Sequence, residues 1–181
     1  ASYNSRPRGR VLGDQFQTNV AQAGSGGAFA SFGSAVRFDK TTSCSGNTAL
    51  KGGGGCLLWE PEAKNMEDEK WKTLAPVIEN ITLITANKAA YGVTLATPPA
   101  SMRVATNLAT KIVTNEQNIL APEYPQVELL DWHESVVRGA FAKDVEINAK
   151  LFDSEAKLFG ASVAKANNNG SGSFSDLGLQ G

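Results

Sequence analysis

Long apolar runs are missing from this 181-residue chain. No stretch reaches the roughly 18 consecutive apolar residues of a membrane-crossing helix, which excludes that kind of span. The amino end has no apolar core segment of the signal-peptide type, so no intact signal peptide is expected. Histidine is almost absent. His133 is the only one, and beside two cysteines it leaves a zinc site within one chain short of the about four ligands such sites need. Charge is scarce as well, at 19% of residues with a net charge of −1, so no global field steers the chain toward nucleic acid. Nucleotide motifs fail in detail. The stretch from Gly46 to Lys51 lacks the leading glycine and the trailing Ser or Thr of a P-loop, and Gly24–Gly27 reads GSGG, which is no dinucleotide fingerprint.

What is present begins with glycine, 18 residues of it. Residues 1–60 read as a glycine-rich, mostly irregular arm and loop, with short strands expected near Ala28–Phe32 and Val36–Asp39. Phe29 and Phe32 stand among the glycines as anchors for a partner surface. The charge is uneven. Residues 1–56 hold six Lys/Arg against two Asp/Glu, and the remainder is acidic. A basic end on an acidic body suits contact between neighbouring subunits. Arg6, Arg8 and Arg10 could also make a weak contact with phosphates. Cys44 and Cys56 leave two readings open. They form either a small disulfide loop, worth roughly 3 kcal/mol by loop-closure entropy, or two free thiols of a reducing compartment, and we place the thiols slightly ahead.

From residue 65 the spacing of apolar residues predicts a mainly α protein, with a helical domain over 65–167 and a flexible tail over 168–181. A first medium helix carries Trp71, Leu74, Ile78, Ile81 and Ile84, with Pro76 in conflict and Gly92 as its stop. A second runs over about 102–120 with Ala105, Leu108, Ile112 and Ile119 on its face. A third, about 126–167, is long. Its stripe passes through Val137, Phe141, Val145, Asn148, Phe152, Phe159 and Val163, with an eleven-residue period. That period is about 3.67 residues per turn, which gives a nearly straight helix or a gentle right-handed coiled coil. Its wide apolar face needs neighbours, and Asn148 is expected either to meet a polar partner across the interface or to mark where the partner helix ends.

His133 sits in the stretch DWHES beside Asp131 and Glu134. A general base oriented by a carboxylate is one reading. However, adjacent helix residues do not share a face, and no Ser or Cys nucleophile is tied to it by motif. The carboxylates lack the Glu-x-x-His pairs of helical di-metal sites. The expectation is therefore a non-enzymatic structural protein without cofactor or metal, whose partners are copies of itself or other subunits. Its interface would use Phe29, Phe32, Val137, Phe141, Val145, Phe152, Phe159 and Val163. The segment Ala142–Ala166 resembles the long amphipathic helices of tailed-bacteriophage virion proteins. That resemblance implies a neck, tail or internal component of a viral particle, and a virion location. The alternative is a linker or adaptor binding larger partners through its two tails, as in a photosynthetic or secretion complex. Limited proteolysis separates the two, because an adaptor's tails stay cleavable where an assembly subunit protects them.

Overall fold

The computed structural model describes residues 9–33, 36–61, 75–106, 119–120, 125–143, 145–151 and 157–180. Among these there is no α-helix; the only helical pieces are two single turns of 3₁₀ type, Ile81–Leu83 and Gly139–Phe141. The first twelve strands are β1 (Gly9–Val11), β2 (Gln15–Gln17), β3 (Val20–Ala21), β4 (Phe29–Phe32), β5 (Val36–Phe38), β6 (Ser43–Ser45), β7 (Thr48–Gly53), β8 (Leu57–Glu60), β9 (Val77–Ile78), β10 (Ile84–Thr85), β11 (Lys88–Tyr91) and β12 (Leu95–Ala96). They stack in four parallel ladders, β1-β5-β9, β2-β6-β10, β3-β7-β11 and β4-β8-β12. The chain thus winds three times through the same four strand positions, which makes a three-coil parallel β-solenoid. Gln15 pairs with Ser43 and Phe29 with Leu57, so the step from the first coil to the second is 28 residues. Cys44 pairs with Ile84, a step of 40 residues, and the additional residues enter between β8 and β9.

The coil geometry explains the repeated residues. Thr18-Asn19-Val20-Ala21, Gly46-Asn47-Thr48-Ala49 and Ala86-Asn87-Lys88-Ala89 occupy equivalent corners. The first residue of each has positive φ, at 53°, 67° and 54° for Thr18, Gly46 and Ala86. The asparagine that follows turns inward and bonds its equivalent in the next coil. The Asn19 backbone N–H donates to Asn47 Oδ1 at 2.9 Å, and the Asn47 N–H donates to Asn87 Oδ1 at 2.9 Å. The Asn47 amide group also donates to the Phe16 carbonyl at 2.9 Å. Asn47 and Asn87 are buried, so these bonds replace water that cannot enter. A second corner repeats glycine at positive φ, with Gly54 at 74° and Gly92 at 54°. A Cβ on Gly54 would also run into the Leu57 carbonyl, so no other residue fits there.

The solenoid interior holds Val11, Val36, Phe38, Cys44, Cys56, Leu57 and Ile84. Phe16, Phe29 and Phe38 meet edge to face, with ring centroids 5.8–6.1 Å apart. Cys44 and Cys56 form a disulfide inside the second coil, with Cα atoms 6.0 Å apart. The bonded state, rather than the free thiols placed first, is what this geometry contains.

The rest of the chain is a lateral antiparallel unit. Its strands are β13 (Ser101–Val104), β14 (Ile119–Leu120), β15 (Gln126–Leu130), β16 (Glu146–Asn148), β17 (Lys157–Phe159), β18 (Val163–Lys165), β19 (Ser171–Ser173) and β20 (Gly178–Gln180). They pair as β13-β15-β19, β14-β20-β17 and β16-β18. Their inner faces bury Val127, Leu129, Ile147, Ala164 and Phe174 against the outward Leu58, Tyr91 and Ala96 of the second and third coils. The residues expected as a flexible tail form β19 and β20 and bury Phe174 and Leu177.

The mainly α, coiled-coil expectation is overturned. The supposed first helix splits: Ile78 lies in β9, Ile84 is buried in β10, and Ile81 between them is 57% exposed. Its acidic start, Trp71 and Leu74 lie outside the described residues. The second begins as β13, and Leu108 and Ile112 fall outside the description. Among its described residues the long third helix is β15, a turn, β16, β17 and β18, and residues 144 and 152–156 lie outside the description. Glu146-Ile147-Asn148 and Val163-Ala164-Lys165 alternate exposed, buried, exposed, which is the period of a strand with one covered face. Asn148 is exposed on β16, paired with Val163, and interrupts no helical stripe. The two expected amino-terminal strands coincide with β4 and β5. No helix among the described residues is long and apolar enough to cross a membrane.

Two outcomes follow from the ladder and the disulfide. Asn47→Ala leaves buried polar groups without partners and is expected to lower stability by about 2–3 kcal/mol in urea unfolding, against less than about 1 kcal/mol for exposed Asn19→Ala. Equal effects would contradict the sealed ladder. Reductant, or the double change Cys44→Ser and Cys56→Ser, should lower the melting temperature by roughly 6–12 °C, from a loop-closure contribution of about 3 kcal/mol.

Candidate functional site

Three surface features compete as the functional site. The first is the edge of coil one. Each of β1–β4 pairs only with its equivalent in coil two, and no strand pairs with the opposite edge among the described residues. Leu12, Val20 and Phe32 lie exposed on this coil at 59%, 51% and 64%, and exposed Asn19 is the last rung of the asparagine ladder. The lateral unit covers Leu58 in coil two but leaves its partner Ala30 in coil one exposed.

The second feature is a cleft of about 400 Å³ lined by Ile78, Ile81, Val93, Leu95, His133 and Ser135. His133 is exposed at its mouth. The neighbouring Asp131 is buried, and its Oδ1 accepts from the backbone N–H of His133 at 2.8 Å and of Ser135 at 2.9 Å. The Thr97 N–H reaches its other oxygen at 3.4 Å. Asp131 therefore builds the turn 131–135, and its contact to His133 is through the main chain. An imidazole held by a carboxylate, the arrangement a general base needs, is not formed by this pair. Burial raises the Tyr91 hydroxyl above its usual range, helped by the charges of Asp131 and Glu60. Its O–H donates to the Thr97 carbonyl at 2.9 Å, so Tyr91 serves as a structural phenol.

The third feature is a cleft of about 500 Å³ between the outer face of the solenoid and the lateral unit. Ala23, Leu50, Lys51 and Ala90, one or two from each coil, form one wall. Arg138, Gly139, Ala140, Lys143, Asn168 and Asn169 form the other. Gly139 seats the two walls together. It has φ of 76°, its N–H donates to the Asn168 carbonyl at 2.8 Å, and a Cβ there would strike the Lys51 carbonyl.

The residues expected at an interface scatter. Phe29 is half-buried in the aromatic cluster of the solenoid interior, and Val137 is fully buried in the core of the lateral unit. Phe141 and Val145 pack against that core. Phe159 is half-buried on β17, whereas Phe32 and Val163 are exposed. Phe152 lies outside the described residues, as do Arg6 and Arg8; Arg10 is exposed on β1. Sequence reasoning missed the asparagine ladder, for which the recurring Asn-x-Ala corners were the available signal. It also missed the meeting of Lys51 with Arg138 and Lys143, for which local spacing carries no signal. Among the described residues no group of three His, Cys, Asp or Glu could hold a metal ion. The fold and these surfaces define a parallel β-solenoid with a lateral antiparallel unit. No family model, curated protein or solved structure matches the chain.

At the corner between β5 and β6 in coil two, the half-exposed Asp39 carboxylate accepts from the Thr42 hydroxyl at 2.7 Å, the Thr42 N–H at 2.8 Å, the Thr41 hydroxyl at 2.8 Å and, from coil one, the Gly13 N–H at 3.2 Å. The Thr42 hydroxyl leads these in holding the carboxyl well below the usual carboxylate range, and together they outweigh the opposing effect of burial. A depressed pKa contributes stability above the unfolded value of about 3.9 and loses it as pH falls further. Asp39→Asn should therefore be less stable than the wild type in urea at neutral pH, with the gap closing below about pH 4. A gap independent of pH would show that the charge of Asp39 is not what the corner uses.

Proposed function

We propose that this chain is a non-enzymatic structural subunit of a larger assembly, and that it enters the assembly through the exposed edge of its first coil. The observation that carries this reading is the unpaired edge of β1–β4 with Leu12, Val20 and Phe32 exposed around it. A row of unpaired backbone N–H and C=O groups on four strands is a template for further strands, and natural proteins blunt such edges unless they are used. The coil already shows which surface fits it, since the second coil covers the other edge of the same strands in register. A coil from another subunit would meet the same spacing of donors and acceptors. The proposal stands on this edge and draws nothing from the resemblance to virion proteins.

The purified protein is expected to exceed the monomer mass in light scattering, in a concentration-dependent manner. Val20→Lys combined with Leu12→Lys places charge on the edge and should return it to monomer with its melting temperature unchanged. A wild-type protein that stays monomeric at high concentration would sink the proposal.

A further inference from the structure

We infer that the cleft between β7, β11 and the turn Arg138–Lys143 is a binding site for a small, multiply charged oxyanion. Lys51, Arg138 and Lys143 line it, and no carboxylate joins them among the described lining residues. The ion pairs formed elsewhere, Arg37 with Glu79 and Arg103 with Glu128, show cations neutralised by acids on this surface. Among the described residues no acid pairs with any of the three cleft cations. Three like charges brought together from distant parts of the chain repel one another, and an anion between them removes that repulsion. The walls supply the remaining chemistry. Asn168 and Asn169 offer amide donors, and the Arg138 guanidinium offers a planar fork that matches a phosphate or carboxylate.

The size and lining restrict the ligand. About 500 Å³ falls within the range of small-molecule sites. No aromatic side chain among the described residues lines the cleft, so stacking of bases has no platform. Within the cleft the solenoid wall adds only the uncharged Ala23, Leu50 and Ala90 to Lys51, so its counter-charge is confined to three side chains and suits a short ligand rather than a long polyanion. A compact ligand with two or more oxyanions fits, whether they are phosphates or carboxylates. This inference does not depend on assembly through coil one.

Titration calorimetry of the full chain with inorganic pyrophosphate and, separately, with citrate tests it and distinguishes the two anion types. Saturable binding of at least one is expected, weakened by added salt. Lys51→Gln, Arg138→Gln and Lys143→Gln should each weaken it about fivefold, the equivalent of about 1 kcal/mol. Lys88→Gln, on β11 outside the cleft, should leave it unchanged. Circular dichroism checks that the variants fold, and amide shifts of Gly139, Asn168 and Asn169 in the wild-type protein report binding independently of any variant. No saturable binding of either probe, equal weakening by Lys88→Gln, or shifts confined to other residues would overturn the assignment.

Discussion

Asn47 has no exposure to water and hydrogen-bonding groups on both sides of its amide, and the fold is arranged around meeting that demand. Its carbonyl oxygen receives the amide and backbone N–H of Asn19, and its nitrogens reach Asn87 and the carbonyl of Phe16. These bonds exist only if three successive coils stand in register, since a shift by one residue would turn the asparagine outward and its neighbours inward. The corner glycines and the residues at positive φ are consequences of that registration. They let the chain turn sharply enough for each asparagine to point at the one above it. The apolar interior then fills the space that the ladder has defined.

Register at the corner also dictates what the solenoid shows to the outside. Where Leu57 faces in, Leu58 must face out, and an outward leucine in the middle of a sheet needs a cover. The lateral unit provides one with Val127, Leu129, Ile147 and Phe174. It reaches coils two and three but not coil one, where the position equivalent to Leu58 is Ala30. The same covering brings the turn at Gly139 onto Lys51, so the basic cleft is a by-product of how the second core is closed.

Much of this was written in the sequence at a spacing that local reading passes over. Spacings of three and four between apolar residues suggested helices, yet Ile81 is exposed and Ile84 buried, because each belongs to a separate short element. The eleven-residue stripe from Val137 to Val163 arose from turns and strands whose apolar positions happened to fall at helical intervals. The informative period was 28 residues, carried by Asn19 and Asn47 with alanine two residues on, and by the glycine runs GSGG and GGGG. An insertion before the third coil stretched it to 40 and hid Asn87. The strand at Val36–Phe38 was legible because valine and phenylalanine flank a polar residue there, and the one at Phe29–Phe32 because two phenylalanines stand close together between glycines. The basic cleft was not legible, since its cations meet only after the lateral unit has folded back.

The disulfide between Cys44 and Cys56 lies wholly within the second coil, in a molecule whose coils are otherwise joined edge to edge by hydrogen bonds. Under a mechanical load on the two ends of the chain, the coils can peel away one at a time. The twelve-residue span closed by the bridge cannot be drawn out, which withholds roughly 40 Å of contour length. The bridge therefore shortens the reach of a stretched molecule, and reduction restores it.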